Sequence, residues 1–212
     1  TEQCGKLMSL GQPDISLSVF QDEENLSKLS GLALRASAVE ADAEAAAKET
    51  EEIFRPNEYD KNKHRYGFSV EGQGTKGFMK HILQGPVTLF PSMNSGKAAA
   101  DRLIDSTRAA VDNTPAYALI VSDGNSRESQ VKSGMMYGRL VLKAHGMGFA
   151  AQPLSQAIEE YPKMAEIYRE IHDEYAGGGT IQMLVRLGKP ATDAPNSMRR
   201  DVLDLVRDDA NK

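Results

Sequence analysis

The chain has 212 residues, of which 40% are hydrophobic and 26% are charged, and its formal net charge at pH 7 is −5. This composition is ordinary for a globular protein with one sizeable core. The net negative charge does not indicate a nucleic-acid-binding surface. The single cysteine, Cys4, excludes an internal disulfide and a cysteine-based zinc site, and no apolar run approaches the roughly 20 residues of a membrane span.

The first part of the chain predicts a strand followed by a long helix. Apolar residues alternate over Ile15–Phe20, which is typical of a half-buried strand. Asp22 is placed to cap a helical stretch that continues to Phe54, with an inner stripe of Leu26, Leu29, Leu32 and Ala33. The chain starts with Thr and shows no signal peptide. We expect a cytoplasmic protein, and the alternative that stays open is a processed or truncated product whose upstream export signal is missing.

The segment Arg55–Gly85 is rich in glycine, lysine, arginine and asparagine and shows no clear periodicity. Connections of this length are usually functional or mobile, so one interpretation is a lid or dimer arm over a ligand site. The alternative is a structural excursion with one short helix near Gly77–Leu83. Its histidines, His64 and His81, have no visible partner ligands, and we predict no metal site and no catalytic side chain.

The second half of the chain predicts a helix, a strand and another helix. Ser95 is a suitable N-cap for an amphipathic helix that reaches Val111. Ala116–Val121 favours a strand, which we expect to pair near Ile181–Leu187. The helix Arg127–Gly146 carries two adjacent apolar rows and is predicted to be buried. One row contains Val131, Gly134, Met135, Gly138, Val141, Leu142 and His145, and the other contains Met136, Tyr137, Leu140 and Ala144.

Three ordered segments follow that helix. Gly148–Gln156 contains a proline, Pro153, and leads into a charged helical stretch, Ala157–Tyr175. Met183–Pro190 continues the apolar strand through Arg186-Leu187-Gly188. Ser197-Met198-Arg199-Arg200 precedes a predicted helix, Met198–Val206, that Asn196 or Ser197 can cap.

This ordered set resembles the C-terminal half of the nitroreductase-like flavoproteins, and specifically the branch with two tandem repeats in one chain. The likeness covers about Thr114–Val206 well. It implies an α+β fold with a central, mainly antiparallel sheet flanked by helices around a buried helix. We therefore expect one nitroreductase-like domain over residues 1–212, which is either a shortened relative or the C-terminal part of a longer protein.

The resemblance also implies an FMN site. Gln152, Pro153, Leu154, Ser155 and Gln156 would lie along the flavin ring, where free backbone N–H groups near a helix start favour a reduced, negatively charged ring. Arg199 and Arg200 would meet the phosphate, because the guanidinium fork matches phosphate oxygens. From the residues alone, a proline-bent turn and ordinary surface charge remain open interpretations of these two segments.

One family feature is missing. The usual N-terminal Arg-x-Ser/Thr-x-Arg motif, which grips the phosphate, has no counterpart, since Thr1–Leu10 contains only one base, Lys6. The first hypothesis is an FMN-dependent, NAD(P)H-linked oxidoreductase that reduces a small-molecule acceptor and forms a homodimer. The alternative is a non-catalytic protein of the same fold that sequesters flavin or acts as a regulatory or structural dimer. The missing motif and the 55–85 segment favour the alternative, whereas the family likeness favours the enzyme.

Overall fold

The computed structural model describes residues 2–43, 48, 51–72, 82, 84, 96–192 and 198–203. The chain divides into two compact units. The first unit joins Thr1–Asp42 with Arg102–Ala191, and the second unit joins Ala43–Asp101 with Thr192–Lys212. The short helix predicted near Gly77–Leu83 lies, apart from Ile82, outside the described residues, as does the predicted cap Ser95.

The described helices and strands alternate along the chain. The helices are α1 (Glu2–Met8), α2 (Glu23–Ala41), α3 (Glu58–His64), α4 (Gly96–Asp112), α5 (Arg127–Gly146) and α6 (Ala165–Tyr175). The strands are β1 (Ile15–Phe20), β2 (Phe54–Arg55), β3 (Phe68–Ser69), β4 (Ala116–Ser122), β5 (Ala150–Pro153) and β6 (Thr180–Gly188). Within the described residues, no helix combines the length and the apolar character needed to cross a membrane.

The first unit is built around a four-stranded sheet with the strand order β1-β4-β6-β5. Every neighbouring pair is antiparallel, and Leu119 of β4 lies opposite Leu184 of β6. All seven residues of β4 are buried, as expected for a central strand covered on both faces. The predicted pairing of Ala116–Val121 with Ile181–Leu187 is therefore confirmed.

Helices cover both faces of this sheet. On one face, α1 and α5 pack through a core that includes Leu7, Met136 and Leu140. On the other face, α2 and α6 pack through a core that includes Leu29 and Ile171. Strand alternation explains the division, because Leu184 belongs to one core and Val185 to the other. The predicted α+β architecture, a mainly antiparallel sheet flanked by helices, is confirmed.

The N-cap prediction for α2 is also confirmed. The Asp22 carboxylate accepts a hydrogen bond from the backbone N–H of Asn25 at 3.0 Å. The helix ends at Ala41 with Asp42 at its C-cap, and Lys48 and residues 51–53 are helical again, so the predicted helical stretch to Phe54 is interrupted after Ala41. Residues 44–47 lie outside the described residues.

The prediction that α5 is buried holds for one face only. Met136, Leu140 and Ala144 are buried against the sheet together with Ser133. The other predicted row is open: Val131, Met135 and Leu142 are 57%, 56% and 75% exposed. The physical reason is that a helix lying on a sheet buries about one face, while this helix is apolar on two.

Two further helix predictions need correction. The stretch predicted as a helix from Ala157 begins instead with two 3₁₀ turns, and α6 starts only at Ala165. Glu159 is extended and Pro162 starts the second turn, so a continuous helix is interrupted there. Residues 198–202 are not helical. Asp201 instead accepts a local hydrogen bond from the Leu203 N–H at 2.9 Å, which competes with helical bonding.

The second unit contains more regular structure than the sequence indicated for 55–85. Strands β2 and β3 pair in parallel, and α3 lies between them in the chain. Gly67 (φ 85°) makes the turn into β3, and a side chain there would clash with the Ile53 carbonyl. The role of this segment as a lid or dimer arm stays a prediction.

Candidate functional site

The predicted ring-binding segment lies at the edge of the sheet in the first unit. Gln152 and Pro153 end β5, and the backbone N–H of Leu154 donates to the Leu184 carbonyl at 2.8 Å. Gln152, Pro153 and Ser155 are exposed, whereas Leu154 is 7% exposed and belongs to the core. The leucine side chain thus anchors the segment, and its neighbours face outwards.

Gln152 is held by a residue on the adjacent strand. It lies opposite Arg186 in the β5–β6 register, and the Arg186 Nε–H donates to Gln152 Oε1 at 2.6 Å. The Arg186 Nη1–H also donates to the Ala110 carbonyl in the last turn of α4, at 3.3 Å. A helix C-terminus attracts cations, so the guanidinium is fixed from two sides.

A cleft of about 930 Å³ opens beside this pair in the first unit. Its walls include Leu7, Val19, Phe149 and Leu187, and Arg186 and Lys189 line it together with Gln152. Sites for small organic molecules are typically about 300–1,000 Å³ and mostly apolar. Sequence reasoning included Arg186 in the strand but did not select it as a site residue. The available signal was a basic residue inside an apolar strand.

Gln156 is less exposed than Gln152, and its side chain contacts Glu40 rather than Arg186. Burial raises the pKa of the Glu40 carboxyl, and a hydrogen bond from Gln156 partly offsets this rise. Burial and the nearby Glu40 charge likewise raise the pKa of Glu159. Tyr161 has a raised pKa from burial and from both carboxylates. Glu40 Oε2 and the Tyr161 hydroxyl are buried without a hydrogen-bond partner in the described part of the chain.

The arginine pair belongs to the second unit. Arg199 and Arg200 are both exposed, and the Arg200 guanidinium lies over the Tyr66 ring, 4.3 Å from its centre. Arg55 also stacks against this ring, at 4.6 Å. Because the pair follows no helix start, the predicted helical setting of the arginines is wrong, and an aromatic ring supports Arg200 instead.

Arg55 is an unusual residue in this cluster, because it is only 6% exposed. Its guanidinium donates to the backbone carbonyls of Tyr66, Glu52 and Phe54 at 3.1, 2.8 and 3.2 Å. Among the described residues, neither Arg55 nor Arg200 forms an ion pair with a carboxylate. Sequence reasoning missed both Arg55 and Tyr66, since they lie far from Arg200 in the chain.

The predicted site residues therefore form two groups. Gln152–Gln156 is one continuous edge segment of the first unit, and Arg200 is grouped with Arg55 and Tyr66 in the second unit. Within the described ranges, no group of three or more His, Cys, Asp or Glu side chains is arranged to hold a metal ion.

No protein-family model matches the chain, and no curated protein sequence is significantly similar to it. Solved structures do match. The FMN-dependent nitroreductase NfnB from Mycobacterium smegmatis, in complex with NADPH, has a TM-score of 0.52 at 12% identity, covering 97% of this chain and 87% of that chain. A nitroreductase with bound FMN from Desulfitobacterium hafniense has a TM-score of 0.51 at 10% identity, covering 97% and 82%.

A third similar structure is oxidised iodotyrosine deiodinase bound to FMN and 3-iodo-L-tyrosine. Its TM-score is 0.50 at 13% identity, and the match covers 98% of this chain and 87% of that chain. Identities this low show the fold alone. The chain therefore has the nitroreductase fold, as the sequence predicted.

Proposed function

We propose that this chain is a flavoprotein of the nitroreductase type, which binds FMN, oxidises NAD(P)H and passes the electrons to a small-molecule acceptor. The observation that carries the proposal is the fold. Solved structures that resemble nearly the whole chain include enzymes bound to FMN and to NADPH. Membership of the nitroreductase family, and of its tandem-repeat branch, is part of the same proposal.

The edge segment fits a flavin ring. In the described part of the chain β5 pairs only with β6, so its outer edge presents backbone groups to a ligand. The edge of an isoalloxazine carries alternating hydrogen-bond donors and acceptors, which an open strand edge can match. Gln152, Pro153 and Ser155 are exposed there, while Leu154 holds the segment to the core.

The arginines of the second unit fit a phosphate. Arg200 stacks on Tyr66 beside the buried Arg55, and both guanidiniums lack a carboxylate partner among the described residues. A phosphate monoester would balance this charge through charge-assisted hydrogen bonds. Arg199, next in the chain, would add a second exposed cation.

In this proposal the flavin supplies the redox chemistry, carrying a hydride from the nicotinamide to the acceptor. The protein residues bind and orient the ring. Gln152 is suited to this role, because Arg186 fixes its side-chain amide through a 2.6 Å hydrogen bond. No side-chain nucleophile is required.

The proposal includes a homodimer formed through α5. Val131, Met135 and Leu142 lie on the face of this helix opposite the sheet and are more than half exposed. An added Cβ at Gly134 or Gly138 would meet no atom within 4 Å in the described structure, so another backbone can approach closely. A second copy of the same helix, with its own glycines and apolar residues, would cover this stripe.

The alternative function is flavin binding without turnover. One observation favours it: the only base near the start of the chain, Lys6, lies on α1 and pairs with Glu2 at 2.6 Å. Within the described residues, the N-terminal segment therefore has no unpaired basic side chain for a phosphate. Phosphate binding would depend on Arg199 and Arg200.

A visible absorption spectrum of the purified protein, recorded after FMN addition and desalting, separates these functions. Retained flavin together with oxidation of NAD(P)H supports the enzyme. Retained flavin without NAD(P)H oxidation supports the sequestering protein. A colourless protein contradicts both and leaves a structural dimerisation module.

A further inference from the structure

Arg186 and Lys189 line the cleft along β6 and its continuation, and Gln152 lies beside Arg186 on β5. The Arg186 Nε–H donates to Gln152 Oε1, which uses one of the two lone pairs of that oxygen and directs the Gln152 NH₂ group away from Arg186. Arg186 itself is donor-only, as is the nearby Lys189. This side of the cleft therefore offers hydrogen-bond donors, and it suits a ligand edge that consists of acceptors.

The charge of the cleft supports the same conclusion. Arg186 and Lys189 line it, and none of its described lining residues is acidic. Neither cation has a carboxylate partner within ion-pair distance in the described parts of the chain. The whole chain carries a net charge of −5. A local excess of positive charge on an acidic protein concentrates small anions at that place.

Much of the remaining lining is apolar, and its other polar residues are uncharged: Gln3, Gln21, Ser106 and Asn113. Leu7, Val19, Phe149 and Leu187 are among the residues that line this cleft of about 930 Å³. A ligand that uses this surface needs a hydrophobic body as well as an anionic end, because burial of apolar area provides most of the binding free energy. An inorganic anion would pair with Arg186 and Lys189 but would leave the apolar side chains of the cleft exposed to water.

We propose that this cleft is a binding site for an apolar carboxylate, with its carboxylate on Arg186 and its hydrocarbon body against the apolar walls. The Nε and one Nη1 donor of Arg186 are used by Gln152 and Ala110. The remaining N–H groups provide the two-point contact that a carboxylate accepts from a guanidinium. Lys189, which is exposed at the cleft, adds attraction at longer range. Binding of such a ligand does not require flavin.

The chain contains a built-in reporter for this site. Cys4 is the only cysteine in the sequence, it lines the cleft, and it is 9% exposed. A ligand in the cleft should therefore slow the modification of Cys4 by a thiol reagent. This readout is local, so it separates binding in the cleft from binding elsewhere on the protein.

The test is titration of the purified protein, without added flavin, with naphthoate and with the neutral analogue naphthalenemethanol. Binding is measured by calorimetry and by the rate of Cys4 modification. We expect naphthoate to bind more tightly than the alcohol, and Arg186→Gln to weaken naphthoate binding by about tenfold or more, the usual loss for one charge-assisted contact. Arg169→Gln is the matched control, because Arg169 is exposed on α6 and its Nε donates to the Ala165 carbonyl.

Equal binding of naphthoate and the alcohol would overturn the proposal, as would naphthoate binding that Arg186→Gln leaves unchanged or that does not slow Cys4 modification. The circular dichroism spectrum of Arg186→Gln must match that of the wild type. If the variant misfolds, Arg186→Lys replaces it; this change keeps the charge and loses the fork, and we expect intermediate affinity. Because no flavin is added, the outcome is independent of whether the chain binds FMN.

Discussion

Tyr66 is a single residue on which the proposed phosphate site depends, since both Arg55 and Arg200 stack on its ring. We predict that Tyr66→Leu reduces the preference for FMN over riboflavin by about twofold to thirtyfold, as expected from the loss of cation–π contacts of about 0.5–2 kcal/mol. The measurement is the ratio of the two dissociation constants, obtained from the quenching of flavin fluorescence.

Tyr66→Phe is the matched control for this change, because it keeps the ring and removes only the hydroxyl. We expect it to retain most of the preference for FMN. An unchanged ratio in Tyr66→Leu would show that the ring does not support a phosphate-binding arginine, and the second-unit arginines would then be ordinary surface charge.

Glu40 is predicted to make stability depend on pH. Burial raises its pKa above the ordinary 4.5, so the fold prefers the protonated carboxyl. The stability from this preference is fully present below pH 4.5 and is lost as pH rises through the folded pKa. Glu40→Gln should therefore raise the melting temperature at neutral pH, by on the order of 2 °C, and the difference should vanish below the ordinary carboxyl pKa.

The control is Glu23→Gln, which removes an exposed carboxylate from the same helix. Its melting temperature, measured over the same pH range, gives the effect of removing a carboxylate that is not buried. A Glu40→Gln variant that is less stable than the wild type at neutral pH would contradict the burial argument, because it would mean that the charged form is favoured in the fold.

At the residue scale, the sequence indicated which residues have side chains suited to bind a phosphate or a flavin. It did not show which other side chains they contact. Arg199 and Arg200 are suitable phosphate ligands by residue type, and Pro153 indicated a bend next to Gln152, but the edge position of Gln152 was not predicted. The contacts of Arg200 with Tyr66 and of Gln152 with Arg186 join distant parts of the chain. No local pattern specifies such contacts, so Arg55, Tyr66 and Arg186 were missed.

At the element scale, helix α5 has one face that packs against the sheet and an opposite face that is exposed and available for dimer formation. Leu140 is 0% exposed against the sheet, whereas Leu142 is 75% exposed. Leu140→Ala should lower the free energy of unfolding by about 2–5 kcal/mol through cavity formation. Leu142→Ala should change the unfolding of the dilute monomer by less than about 0.5 kcal/mol. Urea denaturation of both variants provides the measurement, and similar losses in both would contradict the assignment of faces.

The elements that could be predicted from sequence are those with strong local signals. Strand β6 has an apolar run with glycine at both ends, β4 has one that starts after Pro115, and α2 has its Asp22 cap. The predicted helix from Ala157 was wrong because Pro162 and the extended Glu159 interrupt it. The burial of both apolar rows of α5 was wrong for the single chain, because amphipathicity does not show which partner covers a face.

For the whole molecule, the open stripe on α5 predicts the oligomeric state. We expect the wild type to be a dimer by light scattering, and Leu142→Glu to shift it toward monomer by placing a charge in the proposed interface. Lys143→Glu is the control, because Lys143 is exposed on the same helix outside the stripe. A monomeric wild type, or a dimer that tolerates Leu142→Glu, would contradict this interface.

The architecture also explains why the fold could be predicted from the sequence, whereas the activity could not. The order of helix, proline-containing segment and strand could be identified from local sequence patterns. It predicted the nitroreductase fold that the similar solved structures also show. The residues of the proposed flavin site contact side chains that are distant in the chain, as Gln152 does with Arg186 and Arg200 does with Tyr66. No local sequence pattern predicts such contacts.

The most direct test of the central claim is anaerobic addition of NADPH to protein that has been loaded with FMN and desalted. We predict that the protein retains flavin and that the visible flavin absorbance is lost on NADPH addition and returns when an acceptor or oxygen is admitted. Flavin that is lost during desalting, or that stays oxidised in the presence of excess NADPH and NADH, would contradict the assignment of this chain as an FMN-dependent oxidoreductase.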